Sequence, residues 1–136
     1  MTSVLGLAHV GIAVRSLDQA IAVWTKALGL TLVDTIEFEP MKVRIAFLRG
    51  GPTELELLEP TSADSPVGRF LAKRGEGMHH LSFYVNDLDT ALREAEAAGM
   101  ELIDRSPREG SHHTRIAFLS PKSLTGVLVE LCEAKR

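Results

Sequence analysis

The sequence predicts an α+β fold: two tandem βαβββ modules, over about residues 5–60 and 77–133, whose sheets curve around a shared cleft. Three observations lead there. The chain repeats itself once, each repeat opens on a strand-like run followed by a single amphipathic helix, and a short helical linker at about residues 61–76 separates the copies. A chain of 136 residues suits one compact domain built from two small halves that share a core.

The repeat is read segment by segment. Gly6-Leu7-Ala8-His9-Val10 lies over Gly77-Met78-His79-His80-Leu81, and the same register places Val14 to Ala20 over Val85 to Ala91. With a slip of one position, Gly29-Leu30-Thr31-Leu32-Val33-Asp34 meets Gly99-Met100-Glu101-Leu102-Ile103-Asp104. Arg44-Ile45-Ala46-Phe47-Leu48 recurs unchanged as Arg115-Ile116-Ala117-Phe118-Leu119. After a small insertion that contains Ser120-Pro121-Lys122, Glu56-Leu57-Leu58-Glu59 meets Glu130-Leu131-Cys132-Glu133. Conserved order across separate segments is the mark of a duplication rather than of chance.

The elements follow in order. From Leu7 to Val14 the residues alternate, with Ala8, Val10, Ile12 and Val14 on one face and His9, Gly11 and Ala13 on the other. Ser16 with Gln19 forms a capping box, and Gly29 stands where a helix ends in a left-handed residue. Between them Leu17, Ala20, Ile21, Trp24 and Leu28 make a stripe at helical spacing. Strands are expected at about residues 31–37, 43–49 and 53–59, with Gly50-Gly51-Pro52 turning the last pair. Ser65-Pro66 opens the linker helix, which runs to Lys73, and Gly75-Glu76-Gly77 joins it to the second module. There the pattern predicts a strand over Met78–Val85, a helix from Leu88 to Ala98 stopped by Gly99, and three strands ending at Cys132.

Composition excludes several functions. The formal net charge is −3, which gives no electrostatic reason to expect nucleic acid or an anionic membrane as a partner. No apolar run reaches the roughly 18 residues of a membrane span. The N-terminus carries neither a secretory nor a transit pattern, and one cysteine, Cys132, permits no intrachain disulfide. The cytoplasm is the expected location.

Four polar residues become pairs under the repeat: His9 with His80, and Glu56 with Glu130. Strand parity sets each apart from its aliphatic neighbours. His80 shares a face with Ser82 and Tyr84, Glu130 opposes Val129 and Leu131, and Glu56 opposes Leu55 and Leu57. Two imidazoles and two carboxylates are a ligand set for one divalent first-row metal ion, with Co, Mn, Ni and Zn all eligible, so the cleft is expected to surround a metal site. The other candidates read as ordinary residues. His79 falls on the aliphatic side, His112 and His113 lie in a solvated loop, Glu54 lines a cavity mouth at most, and Cys132 is a small strand residue.

The chain resembles the vicinal oxygen chelate superfamily (glyoxalase, bleomycin resistance and dioxygenase proteins), and within it the methylmalonyl-CoA epimerases. The resemblance spans nearly the whole chain. It rests on Leu7-Ala8-His9-Val10-Gly11-Ile12-Ala13-Val14, Glu56-Leu57-Leu58-Glu59-Pro60, the linker Ser65 to Lys73, Gly77-Met78-His79-His80-Leu81 and Gly126-Val127-Leu128-Val129-Glu130-Leu131. It implies a metal-dependent enzyme that interconverts (R)- and (S)-methylmalonyl-CoA through a metal-stabilised enolate, an acyl-CoA thioester as partner, and a homodimer. Glu56 and Glu130 are then the acid and base as well as metal ligands. This chain departs from the epimerase pattern in having Ser120-Pro121-Lys122 where a His-Pro-Lys turn is common. It also has Ile45 where some relatives carry a catalytic Glu, and Glu56 where those relatives carry Gln. Two His with two Glu is also the ligand set of glyoxalase I (lactoylglutathione lyase), which stands as the alternative enzyme. A non-enzymatic small-molecule-binding member of the superfamily is the alternative without catalysis.

Overall fold

A computed structural model describes residues 4–134. Eight strands and three α-helices follow in chain order: β1 (Val4–Ala13), α1 (Leu17–Leu28), β2 (Thr31–Phe38), β3 (Val43–Gly50), β4 (Thr53–Pro60), α2 (Pro66–Arg74), β5 (Gly77–Val85), α3 (Leu88–Ala97), β6 (Arg108–Glu109), β7 (Arg115–Leu119) and β8 (Val129–Glu133). The class is α+β, as the repeat implies. The chain gathers into two compact units, one comprising His9–His79 and the other running from His80 onward together with the opening of β1.

In the first unit the strands hydrogen-bond in the order β2-β3-β4-β1. β1 runs parallel to β4, with Gly11 opposite Glu56, while β3 is antiparallel to both β2 and β4. One sheet face carries Ala46, Leu48 and Leu57, which pack with Val14 and with Leu17, Ala20, Ile21 and Trp24 of α1. The opposite face buries Ala13, Ile45, Phe47 and Leu58 against Val67 and Leu71 of α2. Local chemistry sets the helix ends. The Gln19 N–H donates to Ser16 Oγ at 3.3 Å, and Gly29 takes φ 72°, where a side chain would be strained. Ser65 caps α2 by accepting from the Gly68 N–H at 3.0 Å.

The second unit repeats the plan. β5 runs parallel to β8 with Ser82 opposite Glu130, β7 is antiparallel to β8, and α3 covers a core of Val85, Leu88, Leu92, Ala117, Leu119 and Leu131. The duplication extends to single contacts. The Glu59 carboxylate accepts from the Leu17 N–H at 2.8 Å and from Arg44 at 2.9 Å. In the copy, Glu133 accepts from the Leu88 N–H at 2.9 Å and from Arg115 at 2.9 Å. Each repeat thus sets a carboxylate at the N-terminus of its helix, where it meets both an unpaired N–H and the positive end of the dipole.

The three strands expected after α3 form as β6, β7 and β8, the first of them only two residues long. The stretch around Met100–Asp104, which the repeat lays over the start of β2, makes only an isolated bridge from Leu102 to Leu119, and pairing resumes at β6. Asp104 is the cause: its carboxylate accepts from the Phe118 N–H at 2.8 Å, replacing a strand carbonyl, and the Ile103 and Asp104 N–H groups both converge on the Phe118 carbonyl. Pro107 then lacks the donor that a continuing strand needs.

Candidate metal and acid-base site

Parallel pairing within each unit decides which side chains become neighbours. Gly11 opposes Glu56, and the pleat puts His9, two residues before Gly11, on the same face. The His9 Nδ1 lies 3.0 Å from the Glu56 Oε2. Their relative exposures are only 9% and 5%, so neither is an ordinary surface residue. Burial pulls the His9 pKa down to about 4, which leaves a neutral imidazole at neutral pH.

The second unit holds an equivalent pair. His80 and Glu130 are each 6% exposed, and the His80 Nε2 lies 4.0 Å from the Glu130 Oε2, too far for a hydrogen bond. The other carboxylate oxygen accepts from the Ser82 hydroxyl at 2.7 Å, and Ser82 is fully buried. Burial pushes the Glu130 pKa up to about 7, with the Ser82 hydrogen bond and the charge of Arg108 pulling the other way. The His80 ring meets the Phe118 ring edge-on at 5.9 Å.

These donors fit a divalent metal ion. A buried carboxylate that burial drives toward protonation is a strong recipient for a cation, and a neutral imidazole has a lone pair to give. Distance agrees as well. Two ligand atoms about 2.1 Å from one ion stand about 3.0 Å apart at a right angle and about 4.2 Å apart when opposite. Both separations, 3.0 and 4.0 Å, fall in that range.

The remaining sequence candidates go elsewhere. His79 packs edge-on against Phe70 of α2 at 5.1 Å, and burial takes its pKa to about 4. His112 and His113 are exposed, and His113 sits 3.9 Å from Glu109. Ile45 is buried among apolar residues, so the third strand of this chain offers no carboxylate on that face. Sequence reasoning placed Ser82 on the face of His80 but missed its bond to Glu130, and it passed over Asp104 and Arg108.

Comparison with known proteins fits this architecture. The family model of the Glyoxalase/Bleomycin resistance protein/Dioxygenase superfamily matches residues 8–118, and the chain belongs to that superfamily. Among its relatives, the uncharacterized protein YqjC of Bacillus subtilis is 46% identical over 95% of this chain and 92% of its own length. The mitochondrial methylmalonyl-CoA epimerase of Homo sapiens is 34% identical over 94% of this chain and 73% of its own. The crystal structure of methylmalonyl-CoA epimerase from Mycobacterium tuberculosis superposes with a TM-score of 0.92 at 38% identity, covering 98% of this chain and 90% of that one.

Proposed function

We propose that the protein is a metal-dependent epimerase of methylmalonyl-CoA or a close acyl-CoA analogue, transferring the α-proton between two carboxylates. One observation carries this reading: each repeat buries one histidine beside one glutamate at equivalent positions. The names of the relatives supply the substrate class. In this reading one divalent ion is held by His9, Glu56, His80 and Glu130, the ligand set that the repeat and the family resemblance imply. A bound divalent ion supplies Lewis-acid stabilisation of the enolate charge that develops when the α-proton leaves. Glu56 and Glu130 then do the proton work. One carboxylate removes the α-proton from one face of the carbon and the other returns a proton to the opposite face, which inverts the centre. Ser82 holds one Glu130 oxygen in place and so fixes the direction in which the other points.

Assay of metal-loaded protein against methylmalonyl-CoA and against a glutathione hemithioacetal tests the proposal. Epimerisation of the thioester is expected; isomerisation of the hemithioacetal alone would assign the chain to glyoxalase I chemistry instead. Glu56→Gln and Glu130→Gln should each lower epimerisation at least about a hundredfold while some metal is retained. If both variants keep wild-type rates, the acid and base are other groups.

The homodimer implied by the family is part of the same proposal. Val4, Leu5 and Leu7 at the opening of β1 are 52%, 54% and 46% exposed, an apolar stretch suited to a second copy. Light scattering on the purified protein should give twice the chain mass. Among the described residues, no helix is long and apolar enough to cross a membrane.

A further inference from the structure

We propose that Arg108 binds the acyl carboxylate of the substrate and selects malonyl-type thioesters over those that lack a carboxylate. The inference rests on the acyl-CoA epimerase reading and deepens it.

The two-residue strand β6 pairs Arg108 with Ile116, so the Arg108 side chain shares the sheet face of Ile116, Phe118, Ser82 and Glu130. Its guanidinium carbon stands 4.9 Å from the centre of the Phe118 ring, whose edge meets His80. Its Nε lies 3.1 Å from the Asp104 Oδ2, and Asp104 is itself held by the Phe118 N–H at 2.8 Å. The guanidinium is therefore held from two sides, by the Phe118 ring and by a carboxylate anchored to the same strand residue. The Arg108 side chain is 44% exposed, so it remains open to a ligand.

The other described arginines of this unit are committed elsewhere: Arg93 donates to Thr90, Arg105 pairs with Glu96, and Arg115 bridges Glu133 and Asp89. Arg108 alone among them lies on this face, with its side chain 44% exposed. A planar fork pre-set at one aromatic ring's distance from His80 suits a carboxylate, which it can take in two parallel hydrogen bonds. The phosphates of a CoA thioester are a whole pantetheine arm from the reacting carbon, whereas the free carboxylate of a malonyl-type acyl group is bonded to it. The anion within reach of Arg108 is the carboxylate.

Calorimetric titration of the metal-loaded protein with malonyl-CoA and with propionyl-CoA separates this role from a structural one. Wild type should prefer malonyl-CoA. Arg108→Gln should bind malonyl-CoA about ten to a hundredfold more weakly, with propionyl-CoA unchanged, and Arg108→Lys should recover part of the loss. Unaltered binding of malonyl-CoA by Arg108→Gln, or parallel weakening of both ligands, would overturn the proposal. If wild-type protein binds neither thioester, the epimerase reading falls and the role of Arg108 falls with it.

Discussion

At the scale of single residues, the proposed site depends on groups that hold the residues assigned to it. Ser82 is buried and gives its hydroxyl to Glu130 at 2.7 Å. Removing such a support usually weakens metal binding by about ten to a hundredfold. Ser82→Ala should do so in a competitive chelator titration while leaving the fold intact. Glu130 also leaves a mark on stability in metal-stripped protein. Its folded pKa, about 7, lies above the ordinary 4.5, so between those values the folded state keeps a proton that the unfolded state loses. Stability on this account falls as pH rises through that window, and the penalty is complete above pH 7. His9 acts in the opposite sense, because its folded pKa near 4 makes stability rise with pH from about 4 to 6.5. Comparing wild type with Glu130→Gln isolates the carboxylate. The variant should be more stable by about 3 kcal/mol above pH 7, with the gain gone below about pH 4.5, in urea unfolding of chelator-treated protein. The two buried His–Glu pairs were legible in sequence as candidates because the repeat turned lone residues into pairs. Ser82 as a partner of Glu130 was not, since the two lie 48 positions apart and meet only through the β5–β8 register.

At the scale of elements, what was legible is what is local. The Ser16 cap, the left-handed Gly29 and the Ser65-Pro66 start of α2 are each written within a few residues, and each forms as read. Where the first strand after α3 begins, past Met100–Asp104 at Arg108, is not local in this sense. A strand exists only if its neighbour's backbone groups are free to pair, and Asp104 has already taken the Phe118 N–H. The recurring second glutamate of each repeat was visible, but its task was not. Glu59 and Glu133 cap helices that begin more than forty positions earlier in the chain. Glu59→Ala should cost about 1 kcal/mol through loss of the α1 cap and its dipole interaction, measured by chemical denaturation. Leu57→Ala, which empties a fully buried position in the α1 core, should cost about 2–5 kcal/mol in the same experiment.

At the scale of the whole molecule, duplication is the organising fact. One parallel strand pair, one carboxylate-capped helix and one buried His–Glu pair occur in each unit. The proposal joins the two pairs on a single ion, so the protein should bind one divalent ion per chain, and His9→Ala and His80→Ala should each abolish high-affinity binding. Two ions per chain, each lost with only one of the variants, would mean two independent half-sites. The most direct measurement is NMR of (S)-methylmalonyl-CoA in D₂O with metal-loaded protein. The account predicts formation of the (R) epimer with deuterium entering at the α-carbon, at rates that collapse in both Glu56→Gln and Glu130→Gln. An α-proton signal that persists undiminished under metal-loaded conditions, with no second epimer, would contradict it.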